Sequence, residues 1–374
     1  MNIENGKING SSASVSVKMK TVPSRNKCED GGPPPLVVRF GALGDMILLT
    51  PLLRALAQRH GKACEVIGKG STIKDIYAYL PFIGETQFLV SNKTPYWMNK
   101  PKKHLVEWLK TRETDVVYML QSDHLSQKIL DKAGIIPTST KTSVIKRPNE
   151  HVIDHMARLA GFTDEKGEVM KHYQRGTELK VSDADRTELS QWLKQINCED
   201  FPLVLVQPGY RKYKKKLRRT WKSKHWPENR WVSLLQKIME NKPDARILIT
   251  GSASEYALGN TITKSIKDNR IIPVAGQLTL RRLFALLETA HSIISVDTGT
   301  AHAAAALNCP AVVLFGKTDP RVNRPVSRKA PVTIVTGPPD AILDDFEEGW
   351  KKYHTMDAIS VTQVIDAWTG TCPN

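Results

Sequence analysis

Two successive blocks of apolar runs and amphipathic segments follow one another along the chain. The first block begins with the apolar run 36–40, which predicts a buried strand. A glycine-rich turn at 41–45 follows, and leucines at 48, 49, 52, 53 and 56 then lie along one side of a predicted helix. Because strands that alternate with helices favour a parallel sheet covered on both faces, this block predicts an α/β lobe.

The second block restarts at the apolar run 201–206 and marks its strands more clearly than the first. Further strands are predicted at 245–250, 271–274 and 292–296, with helical segments between them. A helix of small residues at 301–307 leads to the last apolar run, 310–316. The whole pattern therefore predicts an α/β protein of two doubly wound lobes.

Polar residues dominate the stretch between the two blocks, so we place the domain boundary there. We expect an N-terminal lobe over residues 36–185 and a C-terminal lobe over residues 186–340. Residues 341–374 are predicted to be helical and to pack back on the N-terminal lobe. Residues 1–35 are polar and lack the apolar stretch of a secretory signal, which predicts a disordered basic tail.

Composition narrows the class of protein. A chain of 374 residues suits two domains, and none of its apolar runs approaches the roughly 18 residues that span a bilayer. The five cysteines are far apart and form no C-x-x-C pair, which suits reduced thiols in the cytoplasm and indicates neither a zinc knuckle nor a redox motif. The net charge of +16 implies an anionic partner, which can be nucleic acid, an acidic membrane surface or a phosphorylated substrate.

Asp45 ends the glycine-rich turn, where a strand passes into a helix. One interpretation is structural, because aspartate is a good helix N-cap. The other is chemical, because a carboxylate at the carboxyl edge of a parallel sheet lies where open α/β folds bind ligands. There it can act as a general base for a hydroxyl nucleophile. The turn alone leaves both interpretations open.

A second turn, at 297–302, combines a carboxylate, two hydroxyls, a glycine and a histidine at the start of the small-residue helix. The N–H groups and the dipole of that helix favour a phosphate, and the threonine hydroxyls add donors. Asp297 can accept hydrogen bonds from sugar hydroxyls. A capping segment with a packed helix histidine explains the same residues equally well.

A basic run at 211–224 follows the first strand of the second block and contains nine basic residues but no acidic one. It can grip a pyrophosphate or a phosphorylated acceptor, or it can be a solvated loop. Its interleaved aromatic residues also suit single-stranded nucleic acid. Glu255 follows the turn at 250–252, where it can accept from ribose hydroxyls or simply favour the start of a helix.

Together and in this order, these motifs resemble glycosyltransferase family 9, the lipopolysaccharide heptosyltransferases. The likeness runs from about residue 36 to residue 325 and is weakest between 91 and 178. The segments that carry it are Arg39–Asp45 with Thr50–Leu53, then Lys224–Glu228, then Val296–His302 with Leu314–Pro320.

The resemblance implies a GT-B fold, in which two Rossmann-like lobes face each other across a cleft. It also implies an inverting transfer of heptose from ADP-heptose to an inner-core hydroxyl of lipopolysaccharide. The nucleotide sugar is then a co-substrate, with no further cofactor and no catalytic metal. Carried over to this sequence, the family pattern assigns the catalytic base to Asp45, the donor diphosphate to Lys224, Thr298, Gly299 and Thr300, the donor sugar to Asp297 and His302, and the nucleotide ribose to Glu255. We add as acceptor or phosphate contacts Gly44, Arg211, Arg218 and Arg219.

Some features depart from the family pattern: Ala42, Lys317 and the basic insertion at 212–220. A related transferase that uses another nucleotide sugar is therefore the alternative within the class. An alternative from another class is a nucleic-acid-binding α/β protein, which the basic run favours and the order of the family motifs along the chain disfavours. A third alternative is an epimerase with the GT-B fold or an inactive adaptor. Because the implied acceptor is an anionic lipid-linked saccharide, we expect a cytoplasmic protein in peripheral contact with the inner membrane.

Overall fold

The computed structural model describes residues 33–89, 100–112, 116–120, 124–135, 144–209, 224–337 and 355–372. Within these ranges it contains two parallel sheets, one of four strands and one of six. The predicted basic tail lies outside the described residues except for its last three positions.

The first lobe is built on the four-stranded sheet, with strand order β3-β2-β1-β4. Its strands are β1 (Leu36–Val38), β2 (Cys64–Lys69), β3 (Ile83–Leu89) and β4 (Val117–Met119). Its helices are α1 (Leu43–Ile47), α2 (Thr50–His60), α3 (Thr72–Tyr77), α4 (Lys100–Lys110), α5 (His124–Ala133) and α6 (Val152–Leu159). All pairings are parallel, and β1 lies between β2 and β4. The loop after β1 therefore opens at the carboxyl edge of an inner strand, where this fold class places ligands.

The second lobe is built on the six-stranded parallel sheet, with order β10-β9-β8-β5-β6-β7. Its strands are β5 (Leu203–Gln207), β6 (Arg246–Ile249), β7 (Ile271–Pro273), β8 (Ser292–Val296), β9 (Ala311–Phe315) and β10 (Val332–Thr336). Its helices are α7 (Asp183–Gln195), α8 (Glu228–Asn241), α9 (Tyr256–Ile266), α10 (Leu280–Thr289), α11 (Gly299–Ala306), α12 (Pro320–Asn323) and α13 (Val361–Thr371), with 3₁₀ turns at Ala253–Glu255 and Met356–Ala358.

The order in which strands are added to the second sheet reverses between its two central strands, which are parallel to each other. β5 and β8 are neighbours, and the strand order moves outward through β6 on one side and β9 on the other. This is a topological switch point, so the loops after β5 and β8 open into one crevice. Both strands are fully buried, which agrees with their mainly apolar sequences, LVLVQ for β5 and SIISV for β8. The prediction of two doubly wound α/β lobes is confirmed.

The C-terminal helix corrects one prediction. α13 packs against α8, β9 and β10 of the second lobe, and not back on the first. Its apolar side carries Val364 and Trp368, which are buried in the second lobe's core, and the Trp368 indole donates to the Ser292 hydroxyl at 2.9 Å. The outer face of β8–β10 requires an apolar cover, and α13 supplies it. The expected packing of 341–374 on the N-terminal lobe was therefore wrong for residues 355–372, and residues 338–354 lie outside the described ranges.

The segment between the lobes is ordered along its whole length. The expected boundary at 185/186 falls inside α7, which packs against α10 of the second lobe. Arg281 on α10 donates to the Asp75 carbonyl of the first lobe at 3.0 Å and also pairs with Asp185 on α7. One guanidinium thus joins α3, α7 and α10 across the junction.

Candidate active site

The two glycine-containing turns meet where the lobes join. Helices α1 and α11 begin at these turns and pack directly on each other. A Cβ atom on Gly44 would lie 2.7 Å from Cδ2 of His302, and one on Gly299 would lie 2.9 Å from the side chain of Leu43. Glycine is required at both positions because any side chain would force the two helices apart.

The Asp45 carboxylate stabilises the start of α1 and is also partly exposed to solvent. Its Oδ2 accepts a hydrogen bond from the Ala42 N–H at 2.8 Å, which fixes the start of α1. The N-cap is therefore Ala42, while Asp45 is the third helical residue and reaches back to it. The side chain is 45% exposed, and Oδ1 lies 3.8 Å from a guanidinium nitrogen of Arg39. One oxygen holds the turn and the other is available to a ligand.

Arg39 is a neighbour of this carboxylate for which the sequence analysis predicted no separate role. Its side chain is only 13% exposed, and burial lowers the pKa of the guanidinium while Asp45 raises it. Its Nε has no hydrogen-bond partner within the described residues. A basic residue at the end of a buried strand, directly before a glycine turn, was the available signal.

Lys224 and Asp297 form an ion pair in the second lobe. The Lys224 ammonium donates to Oδ2 of Asp297 at 2.6 Å and to its backbone carbonyl at 2.8 Å. Asp297 directly follows β8 and is buried, whereas the lysine side chain is 30% exposed. The ammonium is therefore held at the carboxyl edge of the sheet beside the start of α11, where a diphosphate can reach it.

The start of α11 presents backbone N–H groups with little side-chain capping. Thr298 is the N-cap but makes no side-chain capping bond, and its hydroxyl lies 3.2 Å from the Ser295 hydroxyl. Thr300 is buried, and its hydroxyl donates toward Oε1 of Gln207 at 3.5 Å. The backbone of Gly299 and its neighbours, more than the Thr300 hydroxyl, is thus available to an anion.

Glu255 is buried and held by three donors. Its Oε2 accepts from the Ser252 N–H at 2.8 Å and from the Ser252 hydroxyl at 2.5 Å, and its Oε1 accepts from the Gln207 amide at 3.1 Å. A Cβ atom on Gly209 would lie 2.7 Å from Oε1, so the loop after β5 passes close to this carboxylate. Glu255 lies in the crevice between the loops that follow β5 and β6.

Gln207 connects these groups and is a residue that sequence reasoning missed. It is buried at the end of β5, donates to Glu255 and accepts from the Thr250 hydroxyl at 2.9 Å. Its Oε1 is also the acceptor for Thr300. One amide therefore joins the turn after β6 to the first turn of α11. A polar residue at the end of an otherwise apolar strand was the signal.

His302 lies under Gly44 at the contact between the lobes. It is buried, which lowers the pKa of its imidazole to about 4, although the carboxylates of Asp297 and Asp45 raise it. The imidazole is therefore neutral at pH 7. Its Nδ1 has no hydrogen-bond partner among the described residues. A neutral imidazole here can accept one hydrogen bond from a sugar hydroxyl or donate one to it.

The structure thus brings Asp45, Lys224, Asp297 and His302 to one junction, and it connects Glu255 to that junction through Gln207. Arg211, Arg218 and Arg219 lie outside the described residues. In the described ranges no group of three or more His, Cys, Asp or Glu side chains is arranged to hold a metal ion. No helix within these ranges is long and apolar enough to cross a bilayer. The assigned residue roles stay predictions.

Comparison with known proteins identifies the relatives of this chain. It is 29% identical over 331 residues to lipopolysaccharide heptosyltransferase 2 of Escherichia coli, which covers 84% of this chain and 92% of that protein. It is 36% identical over 101 residues to lipopolysaccharide heptosyltransferase 1 of Pseudomonas aeruginosa, where the match spans only 27% of each chain.

The fold agrees with that of a solved relative. The structure of E. coli ADP-heptose lipopolysaccharide heptosyltransferase II superposes with a TM-score of 0.70 at 18% sequence identity, covering 90% of this chain and 98% of that one. The predicted GT-B fold is confirmed. The sequence model of glycosyltransferase family 9 (heptosyltransferase) matches residues 144–344, which is more than half of the 374-residue chain. The chain therefore belongs to glycosyltransferase family 9, the heptosyltransferases.

Proposed function

We propose that this protein transfers heptose from ADP-heptose to a hydroxyl of the lipopolysaccharide inner core, with inversion at the anomeric carbon. The observation that carries the proposal is that a carboxylate of one lobe and a cation of the other lie near the same residue, His302, at the lobe junction. On the first lobe, Asp45 has an exposed carboxylate oxygen; on the second, Lys224 and the start of α11 offer an ammonium and N–H donors. A one-step displacement needs a base and a leaving-group site on opposite sides of the reacting carbon.

In the proposed step, Oδ1 of Asp45, the oxygen that faces Arg39, accepts the proton of the acceptor hydroxyl. The hydroxyl oxygen attacks the anomeric carbon while the bond from that carbon to the ADP oxygen breaks. The electron pair leaves with ADP, so one bond forms, one breaks and the configuration inverts. General base catalysis of this type contributes on the order of 10²–10⁴-fold in rate. Asp45 can serve as the base without loss of the turn, since Oδ2 alone accepts from Ala42.

The Lys224–Asp297 pair gives the donor two contacts at once. When ADP-heptose binds, the diphosphate competes with Asp297 for the Lys224 ammonium, and the released carboxylate oxygen accepts from heptose hydroxyls. A fixed cation and the N–H groups of α11 then stabilise the charge that develops on the leaving diphosphate. The buried carboxylate of Glu255 fits a ribose hydroxyl, because its position is set by Ser252 and Gln207 before a ligand arrives.

The remaining partners follow from charge. A net charge of +16 suits an anionic, lipid-linked acceptor at the cytoplasmic face of the inner membrane, and the arginines 211, 218 and 219 are the proposed contacts with its phosphates. We propose peripheral membrane contact, no cofactor other than the nucleotide sugar, and no catalytic metal. Flotation with anionic liposomes tests the membrane contact, and an activity assay with EDTA, which should leave the rate unchanged, tests the lack of a catalytic metal.

The direct test is a mass-spectrometric assay with a truncated inner-core acceptor and a panel of donors: ADP-heptose, ADP-glucose, UDP-glucose and GDP-mannose. We expect a product one heptose heavier with ADP-heptose alone, and NMR of the new anomeric centre should show a configuration opposite to that of the donor. Turnover of another nucleotide sugar with none of ADP-heptose would contradict the proposed donor. A product of retained configuration would contradict the single displacement.

A further inference from the structure

The first lobe contains a pocket of about 250 Å³ that involves none of the residues assigned to sugar transfer. It lies between α2 and the segment 162–174 that follows α6, and its lining includes Arg54, Gln58, Arg59 and His172. In the part of the chain that the structure describes, no aspartate or glutamate lines it. The volume corresponds to about eight water molecules at about 30 Å³ each, which suits a small polar ligand.

Two arginines and two aromatic rings line this pocket. The Arg59 guanidinium carbon lies 3.5 Å from the centre of the Phe162 ring, and the Phe162 and Tyr173 ring centres are 5.6 Å apart. Arg54 is buried and donates to the Gln174 carbonyl at 2.9 Å on the far side. Arg59 donates to the Ala160 carbonyl at 2.7 Å. Both guanidinium groups are thus fixed in place before any ligand binds.

The nearby carboxylates Glu178 and Asp154 are not among the pocket's lining residues, and each is already paired with arginine. Glu178 is shared between Arg54, at 3.1 Å, and Arg328 of the second lobe. Asp154 pairs with Arg175 at 2.5 Å. Since Arg54 and Arg328 share the single carboxylate of Glu178, positive charge exceeds negative charge beside the pocket.

Tyr173 supplies the second indication of a ligand. It lines the pocket and is 7% exposed, and its hydroxyl has no hydrogen-bond partner among the described residues. Buried polar atoms in native proteins are nearly always hydrogen-bonded, so an unpartnered one points to a missing water, ion or ligand. Beside two fixed guanidinium groups, the group that best satisfies this donor is an oxyanion.

We propose that the pocket at Arg54, Gln58, Arg59 and Tyr173 is a binding site for a small oxyanion, a phosphate monoester or a carboxylate carried by a sugar-sized molecule. Arg54 and Arg59 supply the field, and the Tyr173 hydroxyl donates to the anion after a small shift of the side chains that cover it. The site is independent of sugar transfer, so its test does not need a turnover assay.

The test is thermal unfolding of the full-length protein at constant ionic strength. The ligands are inorganic phosphate, glucose 6-phosphate and glucuronate, with glucose as the uncharged control. A ligand that binds the native state raises the midpoint as its concentration passes the Kd, which gives an affinity for each variant. Phosphate and glucuronate separate the two sources of the oxyanion, and a response to either supports the site.

Matched variants locate the binding. Gln58→Glu should weaken binding about threefold and Gln58→Lys should strengthen it by a similar factor, because the residue is an exposed helix position at the pocket. Gln236→Glu makes the same change at an exposed position of α8 and should leave the affinity unchanged. Tyr173→Phe should weaken binding about tenfold through loss of a hydrogen bond to an anion. The variant should still fold, because the hydroxyl that it removes has no hydrogen-bond partner among the described residues.

Lys224→Gln separates this pocket from the anion-binding turn of the second lobe. We expect it to keep the phosphate response that Gln58→Glu and Tyr173→Phe reduce. No response of the wild-type protein to any of the three anions overturns the proposal. Wild-type affinity in Gln58→Glu or in Tyr173→Phe also overturns it. A phosphate response that Lys224→Gln abolishes overturns it as well.

Discussion

The Lys224 ammonium binds both the side chain and the backbone carbonyl of Asp297, at 2.6 and 2.8 Å, across 73 positions of sequence. The pair holds the ammonium at the carboxyl edge of β8, beside the start of α11. In the proposed function, the donor diphosphate meets a cation whose position is set by the side chain and the backbone of Asp297.

Lys224→Gln is expected to lower kcat by roughly 10²–10³-fold, because the leaving diphosphate loses a fixed cation. It also leaves the buried Asp297 carboxylate without its partner, which should lower the free energy of unfolding by about 1–3 kcal/mol. Steady-state kinetics and urea unfolding measure the two effects. The double variant Lys224→Gln/Asp297→Asn should recover much of the stability and none of the activity. Recovery of both would mean that the pair acts through folding alone.

Gly44→Ala is expected to disrupt the contact between the lobes. The added Cβ would lie 2.7 Å from the His302 ring, and overpacking of this kind destabilises by about 1–3 kcal/mol. Gly370→Ala is the matched control, since Gly370 is also a helical glycine but, among the described residues, nothing lies within 4 Å of its added Cβ. That variant should gain about 0.5–1 kcal/mol from helix propensity. Opposite signs in urea unfolding are the expected result; equal effects would contradict the close packing at Gly44.

His302 should make stability fall as the solution is acidified. Burial lowers its pKa from 6.5 to about 4, so between these values the unfolded chain binds a proton that the folded chain does not. The contribution is fully present above about pH 6.5 and is lost progressively toward pH 4. Between pH 7 and pH 5 the wild-type protein should lose about 2 kcal/mol more than His302→Gln. Urea unfolding of both proteins at the two pH values measures this difference. The same pH dependence in both proteins would show that the imidazole is not buried in its neutral form.

The sequence was sufficient to predict the two lobes, because continuous apolar runs such as the one at β5 are typical of strands buried on both faces. It also predicted that Asp45 and Asp297 lie at the carboxyl edges of the sheets, since glycine turns at the ends of such strands mark the edge where ligands bind. These patterns involve residues that are close in sequence, so they can be recognised without knowledge of the fold.

Long-range pairings were beyond the sequence. The amphipathic pattern of α13 predicts an apolar face but does not say which lobe buries it, and the helix covers the second sheet where we expected the first. Gln207 gains its importance from Glu255, Thr250 and Thr300, which three different loops bring to it. The fixed arginines at the pocket on α2 depend likewise on backbone carbonyls more than a hundred residues away.

Asp45 as the general base is the central claim, and Asp45→Asn tests it most directly. The Asn side-chain oxygen can still accept from the Ala42 N–H, so the start of α1 should be kept and the thermal midpoint nearly unchanged. Asp185 is the matched control, because its carboxylate accepts from the Ser182 N–H at the same 2.8 Å at the start of α7, and it lies outside the set of residues assigned to sugar transfer. Asp185→Asn should lower stability, since it also loses its pair with Arg281, and should keep kcat within about twofold.

The deciding measurement is kcat for heptose transfer by Asp45→Asn, with ADP-heptose and the truncated acceptor both saturating, beside wild type and Asp185→Asn. We predict a fall of about 10²–10⁴-fold in Asp45→Asn at an unchanged thermal midpoint. Wild-type turnover by folded Asp45→Asn would contradict the assignment of this carboxylate as the base.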